Sequence, residues 1–355
     1  MSAENYKSVA NKLKFEGRAY INGKYVDAID GEKFENINPA TGDVLCSVAK
    51  CNHKDVDLAV KVSRKAFESG VWSKTAPEYR KEILLKFAEL LRKHGVENSI
   101  LECVDTGKLI NDCLNEVAND TPMHFQWYAE LIDKTFGKVS ATDPSITSLI
   151  VKEPIGVVAA VVPWNFPLMM AVWKAAPALA AGCSVIIKPA EDTPLSALRI
   201  AQIASEAGIP DGVFNVLPGF GDVGEALGRH NDVDAVSFTG STEVGGLFMK
   251  YSGESNLKTI GLEMGGKSPF LVLEDAKIND ALIDNAINSA FWNGGQNCSA
   301  NMRQIIHNKV KDEFLDKVLK RIKNIKVGDP LDTETNMGSM ISKTHLAKVD
   351  SYIQK

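Results

Sequence analysis

The sequence predicts an α/β protein organised on a doubly wound parallel sheet, and two observations carry that expectation. Between Pro154 and Leu262, strand-like and helix-like runs alternate strictly, the order that builds a parallel sheet with helices on both faces. The strand-like runs, Val157 to Val162 and Val185 to Ile187 among them, are apolar at successive positions rather than alternate ones, as strands covered on both faces are. A third observation gives the chain a chemical focus. In Gly294-Gly295-Gln296-Asn297-Cys298-Ser299-Ala300 a cysteine sits in a loop of small and polar residues between a helical run and a strand. A ligand can reach such a thiol, and its thiolate is a strong nucleophile, although free cysteines are mostly buried small hydrophobes.

Taken in order, residues 15–30 read as a hairpin turning at Asn22-Gly23, the dipeptide that two-residue hairpin turns favour. Asn38-Pro39-Ala40-Thr41-Gly42 is a second turn before a short strand at 44–48. Helical periodicity then runs through 55–69, 77–94, 97–106 and 109–133, with Pro and acidic residues opening the second of these as a first turn prefers. Residues 134–153 break the pattern with two strands around a polar loop. They have little company in sequence, so an extended hairpin leaving the main body is expected, with an edge suited to pairing with another subunit. The alternating region supplies strands at 156–163, 184–189, 212–217, 235–238 and 259–262, with helices between them. A second α/β unit follows: strand 269–273, helix 280–292, the cysteine loop, strand 303–307 and helices 310–325 and 342–353.

The 355 residues are enough for two domains, and a charged fraction of 24% with a net charge of −5 gives no polyanion-binding surface, so nucleic acid is not expected as a partner. The six cysteines are scattered, without a Cys-x-x-Cys pair or histidines at zinc-ligand spacing, which reads as reduced thiols in a cytoplasmic protein without a metal site. The N-terminus lacks the apolar stretch of a secretory signal. The most apolar stretch, 171–187, is broken by Lys174 and Pro177 and is too short for a membrane span.

Ligands on an open parallel sheet bind beyond the carboxyl ends of its strands, and the residues there carry chemistry. Gly219-Phe220-Gly221-Asp222-Val223-Gly224 fits the G-x-G-x-x-G pattern between a strand and a helix, which makes the sheet Rossmann-type. The acid that usually ends the following strand is missing. Instead Glu191 ends the preceding strand beside Lys188. Glu191 would accept hydrogen bonds from ribose hydroxyls and repel a 2′-phosphate, which favours NAD over NADP; a solvated charge pair is the plainer meaning. Phe238-Thr239-Gly240-Ser241-Thr242 places hydroxyls at a helix N-terminus, a pyrophosphate seat or simply an N-cap. Asn165 is bracketed by Pro163 and Pro167, which would hold its amide in place as an oxyanion donor must be held. Glu263 precedes Met264-Gly265-Gly266-Lys267, a carboxylate with room to move as a general base.

Pro163-Trp164-Asn165-Phe166-Pro167, Lys188-Pro189-Ala190-Glu191, Phe238-Thr239-Gly240-Ser241-Thr242, Glu263-Met264-Gly265-Gly266-Lys267 and Gly295-Gln296-Asn297-Cys298 together resemble the aldehyde dehydrogenase superfamily, in its order and at its spacing. The resemblance covers nearly the whole chain from about Tyr20. Gln126-Trp127-Tyr128-Ala129-Glu130 and Arg229-His230-Asn231-Asp232-Val233-Asp234 look closest to its γ-glutamyl-γ-aminobutyraldehyde and betaine/aminoaldehyde branch. What the resemblance implies is an NAD-binding domain at 1–133 and 154–262, a bridging or oligomerisation hairpin at 134–153 and a catalytic domain at 263–355. Cys298 would attack the aldehyde carbon, Asn165 and the Cys298 N–H would hold the oxyanion, and Glu263 would activate the water that releases the acid from a thioester. Trp164, Lys188, Glu191, Gly221, Gly224, Phe238 and Ser241 fall on the cofactor side. Asp120, Phe166, Met170, Trp173, Asn297 and Ser299 fall on the aldehyde channel, with Asp120 attracting a cationic aminoaldehyde. No metal is required.

The family's later segment, with a second glutamate in a Glu-x-Phe-Gly-Pro context and contacts for homo-oligomers, has no counterpart before Lys355. The catalytic layer is therefore expected to be incomplete, with reduced or absent turnover and impaired assembly. Two alternatives stand beside the oxidation: a non-catalytic remnant that binds nucleotide or a partner subunit, and an acylating relative that passes the thioester to coenzyme A. Glu263 as a hydrolytic base argues against the second.

Overall fold

A computed structural model describes residues 3–354. Helix α1 (Ala3–Ala10) leads into the hairpin β1 (Ala19–Ile21) and β2 (Lys24–Val26), which turns at Asn22 and Gly23, both left-handed at φ 53° and 77°. A second antiparallel pair follows, β3 (Lys33–Ile37) and β4 (Val44–Ala49). Four helices come next: α2 (His53–Ser69), α3 (Pro77–Lys93), α4 (Gly95–Thr106) and the short α5 (Ile110–Cys113). The single helix expected over 109–133 is instead divided. After α5 comes a π-helix at Leu114–Asp120, then α6 (Thr121–Leu131) and a 3₁₀ turn at Ile132–Lys134. Periodicity could not show this, because a π insertion shifts the apolar stripe without breaking it.

Strands β5 (Lys138–Ser140) and β6 (Ser148–Ile150) pair only with each other and form the expected outlying hairpin. The alternating region comprises β7 (Val157–Val161), α7 (Pro167–Ala181), β8 (Ser184–Lys188), α8 (Leu195–Ala207), β9 (Phe214–Val216), α9 (Gly221–Arg229), β10 (Ala235–Gly240), α10 (Thr242–Gly253) and β11 (Thr259–Met264). The last unit holds β12 (Pro269–Val272), α11 (Asp280–Phe291), a 3₁₀ turn at Trp292–Gly295, β13 (Arg303–Ile306), α12 (Asn308–Ile322) and α13 (Lys343–Ile353).

The main sheet has the order β11-β10-β7-β8-β9-β1-β2. Its first five strands are parallel, and the N-terminal hairpin joins antiparallel through Tyr20 opposite Val216. Every residue of β7 and β8 is buried, which confirms the reading of apolar runs as strands covered on both sides. One core lies under α3, α6, α7 and α8 and the other under α2, α9 and α10. From β7 the sheet grows to one side through β8 and β9 and to the other through β10 and β11, so the switch in strand order falls between β7 and β10, and the crevice beyond their carboxyl ends is where such sheets bind ligands. Trp164 and Asn165 follow β7 and Ser241 follows β10, with Lys188 and Glu191 at and just beyond the end of the neighbouring β8. In the last unit β12 and β13 pair in parallel over their own small core.

Candidate active site

The thiol of Cys298 is exposed, the other five cysteines less so. Its loop begins where α11 stops, and three successive left-handed residues turn the chain: Asn293, Gly294 and Gly295 at φ 52°, 66° and 75°. Glycine adopts this conformation freely and asparagine more readily than other side chains. Gln296 then anchors the base of the loop. Its buried side chain accepts from the Ile341 N–H at 3.0 Å and donates to the Asn293 carbonyl at 3.1 Å. Beyond it, the Asn297 Oδ1 accepts from the Ser299 N–H at 3.1 Å and its hydroxyl at 3.0 Å, folding a tight turn around Cys298.

Asn165 is brought to this loop. Its Nδ2 donates to the Gln296 carbonyl at 2.8 Å, and Asn293 Nδ2 donates back to the Asn165 carbonyl at 3.3 Å. A primary amide has two N–H donors, so one remains for another acceptor. Phe166 begins the return into α7 and stacks on Trp292 with ring centroids 5.0 Å apart. Glu263 lies in β11, opposite Thr239 of β10, and is exposed. It is the penultimate residue of that strand rather than the first beyond it. The glycines that follow bring this segment back to the cysteine: a side-chain carbon on Gly266 would lie 3.7 Å from the Cys298 carbonyl.

Among the residues expected on the channel, Trp173 stacks on His124 at 5.6 Å, and His124 Nδ1 is 2.7 Å from the Asp120 carbonyl. Asp120, the last π-helical residue, is half-buried, whereas Phe166 and Met170 are buried in the helical core. On the nucleotide side Lys188 ends β8 and is buried, with its Nζ 3.3 Å from a half-buried Glu191 Oε2. Burial pulls the Lys188 ammonium below its ordinary pKa while the Glu191 charge opposes that. Ser241 caps α10, its Oγ accepting the Val244 N–H at 3.2 Å, so the plain N-cap is realised. Gly221 opens α9 and Gly224 is buried against Phe248. Trp164 packs edge-on against His345 at 4.8 Å. One expectation is corrected in part. The Phe238 ring is buried against Phe248 at 5.0 Å, inside the sheet–helix core, so only its backbone can face a nucleotide.

The aldehyde dehydrogenase family model matches residues 25–355. The chain is 47% identical over 356 residues to the aminoacetaldehyde dehydrogenase of Pseudomonas aeruginosa, covering 100% of this chain and 72% of that protein. It superposes on the γ-glutamyl-γ-aminobutyraldehyde dehydrogenase of Burkholderia cenocepacia with a TM-score of 0.98 at 45% identity, and on the indole-3-acetaldehyde dehydrogenase AldA of P. syringae, solved with NAD⁺, with a TM-score of 0.97 at 45% identity. Each superposition covers 100% of this chain and 72% of the other.

The chain belongs to the aldehyde dehydrogenase family. It is an oxidoreductase of aldehydes, and relatives in the family are solved with NAD⁺ bound.

The residues at the strand ends suit the dinucleotide that this family uses. Lys188 spends one N–H on Glu191 and has donors left, Glu191 has a second carboxylate oxygen, and the buried Thr239 Oγ1 lacks a hydrogen-bond partner. A donor beside an acceptor matches a ribose diol. Among the described residues, no group of three or more His, Cys, Asp or Glu could hold a metal ion, and no helix is long and apolar enough to cross a membrane.

Sequence reasoning missed Lys174. This lysine of α7 is buried, and its pKa falls to about 8 because burial disfavours the ammonium, with the Glu263 charge opposing. The available signal was a lone cation inside an otherwise apolar helical run. Asn293, Gln296 and Trp292 were also missed as the frame of the nucleophile loop. Four other cysteines are held as thiols: burial raises Cys46 to about 12 and pushes Cys51, Cys113 and Cys183 upward as well.

Proposed function

We infer that the chain oxidises a cationic aminoaldehyde to its carboxylic acid with NAD, through a covalent adduct on Cys298. The observation that carries this reading is the Asn165 amide tied at 2.8 Å to the loop of the only exposed thiol, with one N–H to spare. Cys298 Sγ adds to the aldehyde carbon, and the carbonyl oxygen, now an oxyanion, takes hydrogen bonds from Asn165 Nδ2 and the Cys298 N–H. When bound, the nicotinamide supplies the two-electron hydride acceptor that turns this adduct into a thioester. Glu263 then removes a proton from water, the water oxygen adds to the thioester carbon, and the acid departs as the Cys298 thiolate is restored. Lys174, close enough to feel the Glu263 charge and partly neutral near pH 8, is suited to take the proton onward. Lys188 and Glu191 hold the adenosine ribose, and Glu191 disfavours a 2′-phosphate.

The substrate class rests on the expected place of Asp120 near the channel mouth, and relatives named for aminoacetaldehyde and γ-glutamyl-γ-aminobutyraldehyde support it. Within this reading, residues 1–133 and 154–262 form the nucleotide domain, 263–355 the catalytic domain, and 134–153 a hairpin that bridges to a second copy. The test is NADH formation by the purified chain with a 4-carbon aminoaldehyde and with an uncharged aldehyde of the same length, each with NAD and with NADP. NAD-dependent production of the free acid, slow but preferring the aminoaldehyde and indifferent to coenzyme A, is expected. No aldehyde-dependent NADH overturns the oxidation, and equal use of both aldehydes overturns the substrate class.

A further inference from the structure

Behind the Asn165 loop lies an ionic cluster that the reaction does not use directly. Lys108, in the turn after α4, is 1% exposed, and its neighbours Glu102 and Glu116 are 0% and 3% exposed. Lys108 Nζ lies 2.5 Å from Glu116 Oε2 and 3.6 Å from Glu102 Oε1. Three ionisable groups this deep are costly to desolvate, and such clusters are weak devices for stability. What they touch suggests another use.

Lys108 and Glu102 reach the segment around Asn165, and Glu116 holds Lys108. The Lys108 ammonium sits 4.1 Å from the centroid of the Phe166 ring, a desolvated cation–π contact. Glu102 Oε2 accepts the Leu168 N–H at 3.2 Å, satisfying an orphan donor in the first turn of α7. Glu116 comes from the π-helix that ends in Asp120. Phe166 also meets the nucleophile loop, through its ring contact with Trp292 at 5.0 Å. Asn165, next in sequence to Phe166, donates to Gln296. The chain of contacts therefore runs from Lys108 through Phe166 to both Asn165 and the segment before Cys298.

We propose that Lys108, fixed by Glu102 and Glu116, is a positioning residue that seats Phe166 and thereby presets the Asn165 amide against the Cys298 loop. The cluster exchanges desolvation cost for a fixed geometry at a site where small displacements are expensive in rate. The inference rests on the reaction proposed above, and its test does not depend on turnover.

The experiment compares the full chain with Lys108→Met/Glu102→Gln/Glu116→Met, which removes all three charges and keeps an acceptor for the Leu168 N–H, and with Glu116→Gln, which keeps shape and an acceptor for Nζ. Thermal unfolding and backbone hydrogen exchange are measured on each. The expected result is a thermal midpoint near that of the parent, with exchange about tenfold faster or more in residues 164–168 and 293–298. Exchange in 157–161 should be unchanged. Glu116→Gln should show the same pattern more weakly, and it carries the test alone if the triple variant does not fold. Where the parent oxidises aldehyde, kcat should fall with KM little changed. Unchanged exchange at both loops, or faster exchange throughout including 157–161, overturns the proposal. Absence of turnover in the parent bears only on the reaction.

Discussion

At the scale of residues, the site is a set of donors and acceptors committed to one another before any ligand arrives. Asn165 has one N–H engaged with Gln296 and one left. Asn165→Ala should therefore lower kcat by about 10²–10³-fold, as loss of one oxyanion donor does, with a much smaller change in KM; a larger effect on KM would show that the amide serves binding instead. Lys174 gives a pH signature. Its folded pKa near 8 lies below the ordinary 10.5, so the neutral form accumulates as pH rises through about 8, and turnover that needs a proton acceptor there should rise over the same window. In Lys174→Arg, where the side chain cannot lose its charge, that limb of the profile should vanish. The residues proposed to react stand out in sequence because each has a conspicuous local setting: Cys298 among glycines, Asn165 between prolines, Glu263 before two glycines. Lys174 does not, because its importance comes from Glu263, which is 89 positions away in sequence and joined to it only by the fold.

At the scale of elements, two segments decide how the site is held. The first is the seat between β10 and α10. A side-chain carbon on Gly240 would come within 2.5 Å of the Phe238 ring, and that ring is locked against Phe248. Gly240→Ala should consequently displace this turn at a cost of about 1–3 kcal/mol, read as a lower thermal midpoint together with weaker NAD binding in a calorimetric titration. Retained affinity would remove this turn from the nucleotide site. The second is the π-helix. Burial raises Glu116 to about 7 from an ordinary 4.5, with Lys108 opposing, so the folded chain holds that proton more tightly than the unfolded chain. The stability this gives is present in full below about pH 4.5 and is lost as pH rises through about 7. Glu116→Gln should flatten that part of the stability–pH curve, measured by urea unfolding at several pH values. Neither segment could be read from periodicity. A π turn preserves helical patterning, and the need for glycine at 240 is set by an aromatic ring two residues back on the same strand.

At the scale of the molecule, the parallel sheet was legible from two-sided apolar strands, and its order places the switch point where the motif residues gather. Helix α1 and strand β3 were not anticipated. Strand β3 alternates buried and exposed positions weakly, and its register comes from β4 rather than from its own composition. The hairpin β5–β6 was expected from sequence, and the structure adds how bare its apolar side chains are: Phe136, Val139, Leu149 and Val151 are all at least 61% exposed. A monomeric surface rarely shows such a contiguous apolar patch. As a bridge to a second copy, it should lose that role in Val139→Asp/Leu149→Asp, with a shift toward the monomer in sedimentation velocity and an unaltered circular dichroism spectrum. An unchanged sedimentation profile would assign the hairpin to something other than self-association.

The uneven burial of the thiols has a practical consequence. Six cysteines make the chain look crowded with reactive sulfur, yet only Cys298 is exposed, and burial suppresses ionisation at Cys46, Cys51, Cys113 and Cys183. Because the thiolate is the species that reacts with alkylating agents, the folded protein should behave as a single-thiol reagent. Limited iodoacetamide treatment should add one carbamidomethyl group, found on the Cys298 peptide, and unfolding should release the rest. Intact mass spectrometry would then count competent sites directly, one label per correctly folded loop, without removing a single native cysteine.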